Sequence, residues 1–558
     1  MKKIIPLLLI LCSAAFVFAQ VHVTVGPYLQ SPTPNSIKIK WRSDTTSASK
    51  IMYGTSLASL NQTTLDTALT SNHTIKLTGL APYTKYYYAI YDGNVMLEGA
   101  DSEHWFRTFP VAGTEMPFRV WGIGDFGKGN TWQPKVRDAY LNYDTVETNF
   151  WVWMGDNAYG DGTEPEYLNQ VFDSVSGYQK LMKHWPFLPS PGNHDYNSIS
   201  PISSPTPPLT HTGPYYNLVD VYTNGEAGGV PTGHELFYSY DYANAHFISL
   251  NSEIGSLFTA ADDWTGVNLF STFTGSPMTQ WLTADLQANT KPWVIVYFHQ
   301  TPYTDGSHDA GAWWEVYMKA MRQNFAPIWE QYGVDLVLCG HSHVYERSYL
   351  VKGAYGDAAD INFLNFVQNT NGVDSLGQAF LKYTQGANPN QGTVYVVCGN
   401  SGSTDPAPGL HHPYMYTGYG CDTCVGSFIL DINGNRLDGR HLDGFGNIRD
   451  HFTIKKIDAE DPNAVHDLQA DGWLSEFKIA PNPFSSSTNV SFDLKQTEKV
   501  VITINDAVGK RLQLFEGELQ QGNQHLEINA QKLKLAKGIY NLQVIAGGKS
   551  ASRNLVIQ

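Results

Sequence analysis

The sequence predicts a multidomain chain: an N-terminal β-sandwich, a central α/β domain of layered sheets flanked by helices, and a small all-β domain at the C-terminus. Three observations carry that prediction. Residues 21–112 alternate apolar and polar side chains in short runs broken by turn signals, as a sandwich does. From Pro117 onward, compact apolar runs alternate with longer helix-like stretches, the mark of a layered α/β domain. Residues 475–558 return to short strand-like runs. A chain of 558 residues has room for three or four units.

Residues 1–19 read as a secretory signal peptide. Lys2 and Lys3 form a basic start, Ile4 to Phe18 an apolar stretch, and Val17 and Ala19 give small residues before Gln20. Leu11 stands before Cys12 where lipid attachment requires a small residue. No later run reaches the roughly 18 apolar residues of a membrane span, so export without a transmembrane segment is expected. The formal net charge is −16, and −18 once Lys2 and Lys3 are removed. With no long Lys/Arg run, that balance repels polyanions and excludes nucleic acid as a partner.

In the N-terminal unit, Ser36-Ile37-Lys38-Ile39-Lys40-Trp41 is a half-buried strand with an aromatic for the core. In the central domain, expected over 116–455, Met278–Ala288 and Ala312–Tyr332 have helical spacing. Trp281, Leu282 and Leu286 share a face of the first, and Trp314, Tyr317, Met318 and Met321 a face of the second. The Asn/Gly/Asp-rich stretch 353–391 reads as an insertion. Past the leader four cysteines remain. Cys421 and Cys424 form a C-x-x-C in a Gly/Asp/Thr loop, which in an exported protein means a local disulfide. Cys339 and Cys398 end apolar runs and read as core residues.

Five motifs carry the chemistry, each just past an apolar run: Gly124-Asp125-Phe126-Gly127, Gly155-Asp156-Asn157-Ala158-Tyr159, Gly192-Asn193-His194-Asp195, His299, and Gly340-His341-Ser342-His343. Loops at the carboxyl ends of strands in an α/β sheet open into one crevice, so these positions should converge. Carboxylate, amide and imidazole make a mixed N/O set for two divalent or trivalent metals. His341 and His343 alternate on an extended segment, so they should serve two adjacent metals rather than one.

Taken together the motifs resemble the calcineurin-like metallophosphoesterases, and Tyr159, three residues after Asp156, narrows the resemblance to purple acid phosphatases. Val25-Gly26-Pro27-Tyr28-Leu29-Gln30 looks like the entry strand of that family's N-terminal domain. Leu77–Thr84 with Tyr86-Tyr87-Tyr88 resembles fibronectin type III. The resemblance implies a dinuclear centre of Fe(3+) and a divalent iron, zinc or manganese. Asp125, Tyr159 and His343 would hold the ferric iron, Asn193, His299 and His341 the second metal, and Asp156 would bridge. It implies hydrolysis of phosphate monoesters by attack of a metal-bound hydroxide, with His194 and His308 as the substrate-facing catalytic histidines. The family often has His-Glu where this chain has His194-Asp195, and consecutive histidines where it has His308-Asp309.

Residues 475–558, opening on Ala480-Pro481-Asn482-Pro483-Phe484, look like the C-terminal sorting domain of type IX secretion. That implies the secretion machinery as a partner and a secreted or cell-surface location. Two other functions stay open from the sequence: a phosphodiesterase or nucleotide pyrophosphatase using the same metals, and a non-catalytic surface adhesin.

Overall fold

The computed structural model describes residues 20–143, 146–196, 213–253, 276–356, 365–368, 370–385, 389–406, 412–458, 474–505, 511–546 and 549–557. The leader read at 1–19, and parts of the stretch 353–391, lie outside the described residues.

Six strands build the N-terminal unit. Its longest, Ser36–Gly54, pairs with Val23–Gln30 and Gln62–Thr78, then with Lys85–Asp92. The alternation in the sequence does what period two requires. Ile37, Ile39 and Trp41 go into the core, while Lys38 and Lys40 on the opposite face reach Asp220 of the central domain at 2.8 and 2.6 Å.

The central domain is two seven-stranded sheets face to face. One runs in the order Tyr238–Tyr242, Ala245–Ser249, Trp293–Gln300, Leu336–Gly340, Val394–Cys398, Tyr345–Ser348, Met415–Tyr419. The other runs Phe380–Tyr383, Ile448–Ile457, Arg436–Asp443, Gly426–Asn433, Phe118–Ile123, Phe150–Met154, Phe187–Ser190. Each contains a parallel block, Ala245–Ser249 to Val394–Cys398 in the first and Phe118–Ile123 to Phe187–Ser190 in the second. Such strands are buried on both faces and read as continuous apolar runs. That is why Phe150-Trp151-Val152-Trp153-Met154 lacks alternation and is wholly buried. Between the sheets Phe150 meets Tyr240 and Phe247 with ring centroids 5.8 and 5.2 Å apart.

The helix expected over Met278–Ala288 forms at Pro277–Ala288, capped by Ser276 Oγ, which accepts from Thr279 N at 3.2 Å. Trp281, Leu282 and Leu286 are buried as its spacing requires. The second expected helix is shorter and interrupted. It begins at Val316, passes through a π-turn at Met321–Phe325 and ends at Gln331. Pro327 has no N–H to give to an earlier carbonyl, and a widened turn ahead of it accommodates that loss. Residues before Val316 are held in turns, with Gly311 N donating to Asp309 Oδ1 at 2.7 Å and Glu315 at φ −81°, ψ 59°. Trp314 therefore lies outside the helix and does not share the buried face of Met318 and Met321.

Part of the stretch read as an insertion is integral to the fold. Phe380–Tyr383 is an edge strand parallel to Ile448–Ile457. Its Lys382 ammonium is buried 2.7 Å from Asp335, which also holds Lys456 at 2.9 Å. Cys421 and Cys424 form the expected disulfide, while Cys339 and Cys398 are buried thiols. At the C-terminal end, a three-stranded and a four-stranded sheet enclose Phe477, Val490, Phe492, Ile502, Leu542 and Leu555.

Candidate metal centre

Every motif lies where a parallel strand ends. Asp125 follows Phe118–Ile123, Asp156 follows Phe150–Met154, and Asn193 follows Phe187–Ser190. His299 is the penultimate residue of Trp293–Gln300, and His341 and His343 follow Leu336–Gly340. The turns are tight. Asp125, Asp156 and His341 have φ of 56, 50 and 68°, a left-handed conformation that costs a non-glycine residue about 1–2 kcal/mol. Strain of this kind at three neighbouring polar residues points to a site that fixes them. Glycine is needed beside them: a Cβ on Gly155, itself at φ +83°, would stand 2.5 Å from His299 Nδ1, and one on Gly192 would stand 2.3 Å from Asp156 N.

The side chains converge in two groups of three. Tyr159 Oη donates to Asp125 Oδ1 at 2.9 Å, and His343 Nε2 lies 3.4 Å from Tyr159 Oη and 3.5 Å from Asp125 Oδ1. In the second group, His299 Nε2 lies 3.1 Å from Asn193 Oδ1 and 3.2 Å from His341 Nδ1. Asp156 adjoins the second group, its Oδ1 3.3 Å from His299 Nε2. Ligand atoms of Asp125, Asp156 and His299 all fall within 4.8 Å of one another. Atoms bound about 2.1 Å from one octahedral cation sit roughly 3 Å apart, which the separations of 2.9–3.5 Å within the two groups suit. His341 and His343 face different groups, as expected, but through the left-handed turn at His341 (φ 68°) rather than by alternation on an extended segment.

Two of the three imidazoles are hydrogen-bonded from behind, and the third faces a carboxylate. His299 Nδ1 donates to the Met154 carbonyl at 3.0 Å, and His343 Nδ1 to Asp405 Oδ2 at 2.6 Å. His341 presents Nε2 to Glu315 Oε2 at 3.7 Å. An acceptor behind a ring fixes its tautomer and leaves the opposite nitrogen's lone pair facing the cleft, the arrangement a metal-ligating histidine uses.

His194 and His308 flank this cluster, and both are partly exposed. His194 donates Nδ1–H to the Gly160 carbonyl at 2.5 Å, and its ring lies 4.4 Å from that of Tyr159. Its Nε2 is turned toward Asp156, 3.8 Å away. His308 donates Nδ1–H to Glu315 Oε1 at 2.7 Å, with its ring 3.9 Å from the His341 ring. The sequence-predicted residues are thus all brought together.

The electrostatics follow from burial against charge. Burial raises the Asp156 carboxyl, but His299 and His194 outweigh it and hold it well below the carboxylate range. Burial lowers His299, yet Asp156 and Asp125 raise it well above an ordinary histidine. His341 is lowered to about 4, chiefly by burial. Burial, then Asp125 and Asp156, push the Tyr159 phenol well above its usual value, so only a strongly polarising cation would displace its proton. Burial opposes ionisation of Glu315, but His308 and His341 bring it down to about 2.

Four supporting residues were not anticipated. Glu315 joins His308 to His341, and Asp405 orients His343. Asn157 ties the Asp156 loop to its neighbour, donating Nδ2 to Ser190 O and Asp195 Oδ2, both at 2.9 Å. Lys128 Nζ lies 4.6 Å from the Tyr159 ring centroid. Asp405 had a signal, since it follows the strand Val394–Cys398 at the same edge as the ligands. Glu315 had none, because its segment reads as helix. Asp195, shorter than the glutamate common in the resembling family, still engages fully: it is buried and accepts from Gly192 N at 2.7 Å, from Asn157 and from Tyr167.

Comparison with known proteins matches three regions. Residues 118–345 match the calcineurin-like phosphoesterases, 19–108 the purple acid phosphatase N-terminal domain, and 478–558 a secretion system C-terminal sorting domain. Purple acid phosphatase 1 of Ipomoea batatas is 28% identical over 59% of this chain and 64% of its own. Fe(3+)-Zn(2+) purple acid phosphatase 12 of Arabidopsis thaliana is 26% identical over 48% of this chain and 50% of its own. The chain thus spans less than two thirds of the length of these curated relatives. The structure of purple acid phosphatase PPD1 from yellow lupin (Lupinus luteus) seeds superposes with a TM-score of 0.52 at 17% identity, covering 78% of this chain and 74% of the other, which shows the shared fold. The sorting domain marks the chain for export by type IX secretion to the cell surface or the extracellular space. Among the described residues no helix is long and apolar enough to cross a membrane.

Proposed function

We propose, for a chain that carries a calcineurin-like phosphoesterase domain behind a purple acid phosphatase N-terminal domain, that it is an exported dinuclear-metal hydrolase of phosphate monoesters. The observation that carries the reading is the pair of three-donor groups with Asp156 beside them. In it Asp125, Tyr159 and His343 would hold a ferric iron, Asn193, His299 and His341 would hold a divalent iron, zinc or manganese, and Asp156 would serve both. Two such cations supply charge to neutralise the phosphoryl oxygens and acidity to the attacking water.

The chain's own residues do the rest. Asp405 and the Met154 carbonyl keep His343 and His299 in the required tautomers, and the Glu315 carboxylate lies 3.7 Å behind His341 Nε2. His308 acts as the imidazolium, giving Nδ1–H to Glu315 and the Nε2 proton to the leaving oxygen, and is left neutral. His194, anchored on Gly160, positions a phosphoryl oxygen beside Asp156. The sequence units 21–112, 116–455 and 475–558 divide into docking scaffold, catalyst and export address, the last engaging the type IX machinery.

Metal analysis of the purified protein, alongside turnover of one aryl monoester and one aryl diester at equal metal loading, tests this. The reading expects two metal ions per chain and preference for the monoester. Two metals with preference for the diester would make it a phosphodiesterase. Full metal content with hydrolysis of neither ester would reject the enzyme.

A further inference from the structure

Trp313 and Trp314 are 81% and 61% exposed, and every other tryptophan among the described residues is buried or half-buried. Two adjacent indoles left in water forgo a large apolar burial each, and exposed aromatics beside a cleft mark recognition rather than packing. Their place in the chain is specific. They lie between His308 and Glu315, whose side chains meet at 2.7 Å over His341, so the indoles stand at the rim of the candidate metal centre on its His308 side.

The loop that displays them is tied down on its approach by hydrogen bonds. Ala310 N donates to Thr304 O at 3.0 Å and Ala312 N to Asp309 O at 2.9 Å. The buried guanidinium of Arg322 donates to the carbonyls of Ala310 at 3.0 Å and Pro302 at 2.9 Å. The two rings stand edge to face, 86° apart with centroids 5.6 Å from each other, which leaves faces open to a third planar group. A preorganised platform of this kind binds with little further loss of entropy. His308 is the residue assigned to the leaving oxygen, so what extends past it toward the platform is the alcohol part of the ester.

We propose that Trp313 and Trp314 form a stacking platform for a planar heteroaromatic base carried on the leaving alcohol, so that nucleoside monophosphates are the preferred substrate class. The inference rests on the phosphomonoesterase reading above. Its flat π surfaces discriminate by shape rather than by hydrogen bonds, so purine and pyrimidine nucleotides should both be accepted.

Adenosine 5′-monophosphate and ribose 5-phosphate share the phosphate and the ester oxygen and differ in the base. Metal-loaded wild type should hydrolyse the nucleotide with a kcat/KM about 5- to 150-fold above that of the sugar phosphate, through KM, since stacking on one base is worth about 1–3 kcal/mol. Trp313→Ala/Trp314→Ala should bring that ratio close to one, and Trp313→Phe/Trp314→Phe should retain most of it. Equal kcat/KM for the two substrates in wild type, or a ratio unchanged in the alanine variant, overturns the platform. Fluorescence titration separates this from the parent reading. Adenosine 5′-monophosphate should quench wild type more than the double phenylalanine variant whether or not any ester is hydrolysed, and equal quenching overturns the platform. Absence of phosphatase activity with that quenching intact overturns only the hydrolase.

Discussion

Replacing Glu315 with glutamine tests whether the site is organised from behind. Glu315 accepts a charge-assisted hydrogen bond from His308 at 2.7 Å and lies 3.7 Å from His341 Nε2. Glutamine keeps the size and one acceptor oxygen but removes the negative charge and can turn an N–H₂ toward a ring nitrogen. A hydrogen bond to a charged group is worth roughly 1.5–3 kcal/mol, which as a barrier difference is about 10- to 150-fold in rate. Loss of a carboxylate behind a ligand histidine has a similar cost, about 10–100-fold. Glu315→Gln should therefore lower kcat by about 10–100-fold on an alkyl phosphate, whose leaving oxygen needs a proton. The deficit should shrink on an aryl phosphate with an acidic leaving group, and Glu315→Asp should restore part of it. The measurement is kcat and KM for both esters in the three proteins, with metal content determined on the same samples. A glutamine variant equal to wild type, or one depressed equally on both esters with full metal content, would refute the role assigned to the Glu315–His308 pair.

Other consequences are as direct. Asp156→Ala should abolish turnover and lower total metal content, since one carboxylate serves both ions, and retention of both metals with normal turnover would contradict this. His246, buried between Asp241 and Asp285 at 2.8 Å from each, is raised to about 9 from an ordinary 6.5, the two carboxylates outweighing burial. Its contribution to stability is fully present below pH 6.5 and lost as pH rises through about 9, and is worth about 3 kcal/mol in all. The stability gap between wild type and His246→Gln in denaturant titrations should therefore be wider at pH 6 than at pH 9.5, and a gap that does not narrow would count against it. Removal of residues 475–558 should leave hydrolysis unchanged and block export in the native host, which activity and secretion assays read separately.

Much of this site was legible because its ligands obey one rule. Asp125, Asp156, Asn193, His299 and His341 each sit at the end of a buried strand, and a run such as Trp151-Val152-Trp153 announces such a strand without knowledge of its partners. The groups that steer those ligands obey no such rule. Glu315 lies in a segment whose apolar spacing reads as helix, but the turn at Asp309–Gly311 and its own φ −81°, ψ 59° keep it out. The same competition misplaced Trp314, which the spacing assigns to the core and the loop sends to the surface. Phe380–Tyr383 was hidden for a different reason. Its strand is four residues long, and its buried Lys382 is neutralised by an aspartate 47 positions away in sequence, a pairing no local pattern reports.

The visible absorption of the iron-loaded protein tests the central claim most directly. Tyr159 Oη lies 2.9 Å from Asp125 and 3.4 Å from His343, and a phenolate is a hard oxygen donor suited to a trivalent ion. The account predicts a coloured wild type with two metals per chain and a phenolate-to-iron band. In Tyr159→Phe it predicts loss of that band with some hydrolysis retained by the remaining ligands. A colourless iron-replete wild type, or a Phe variant whose band is unchanged, would contradict it.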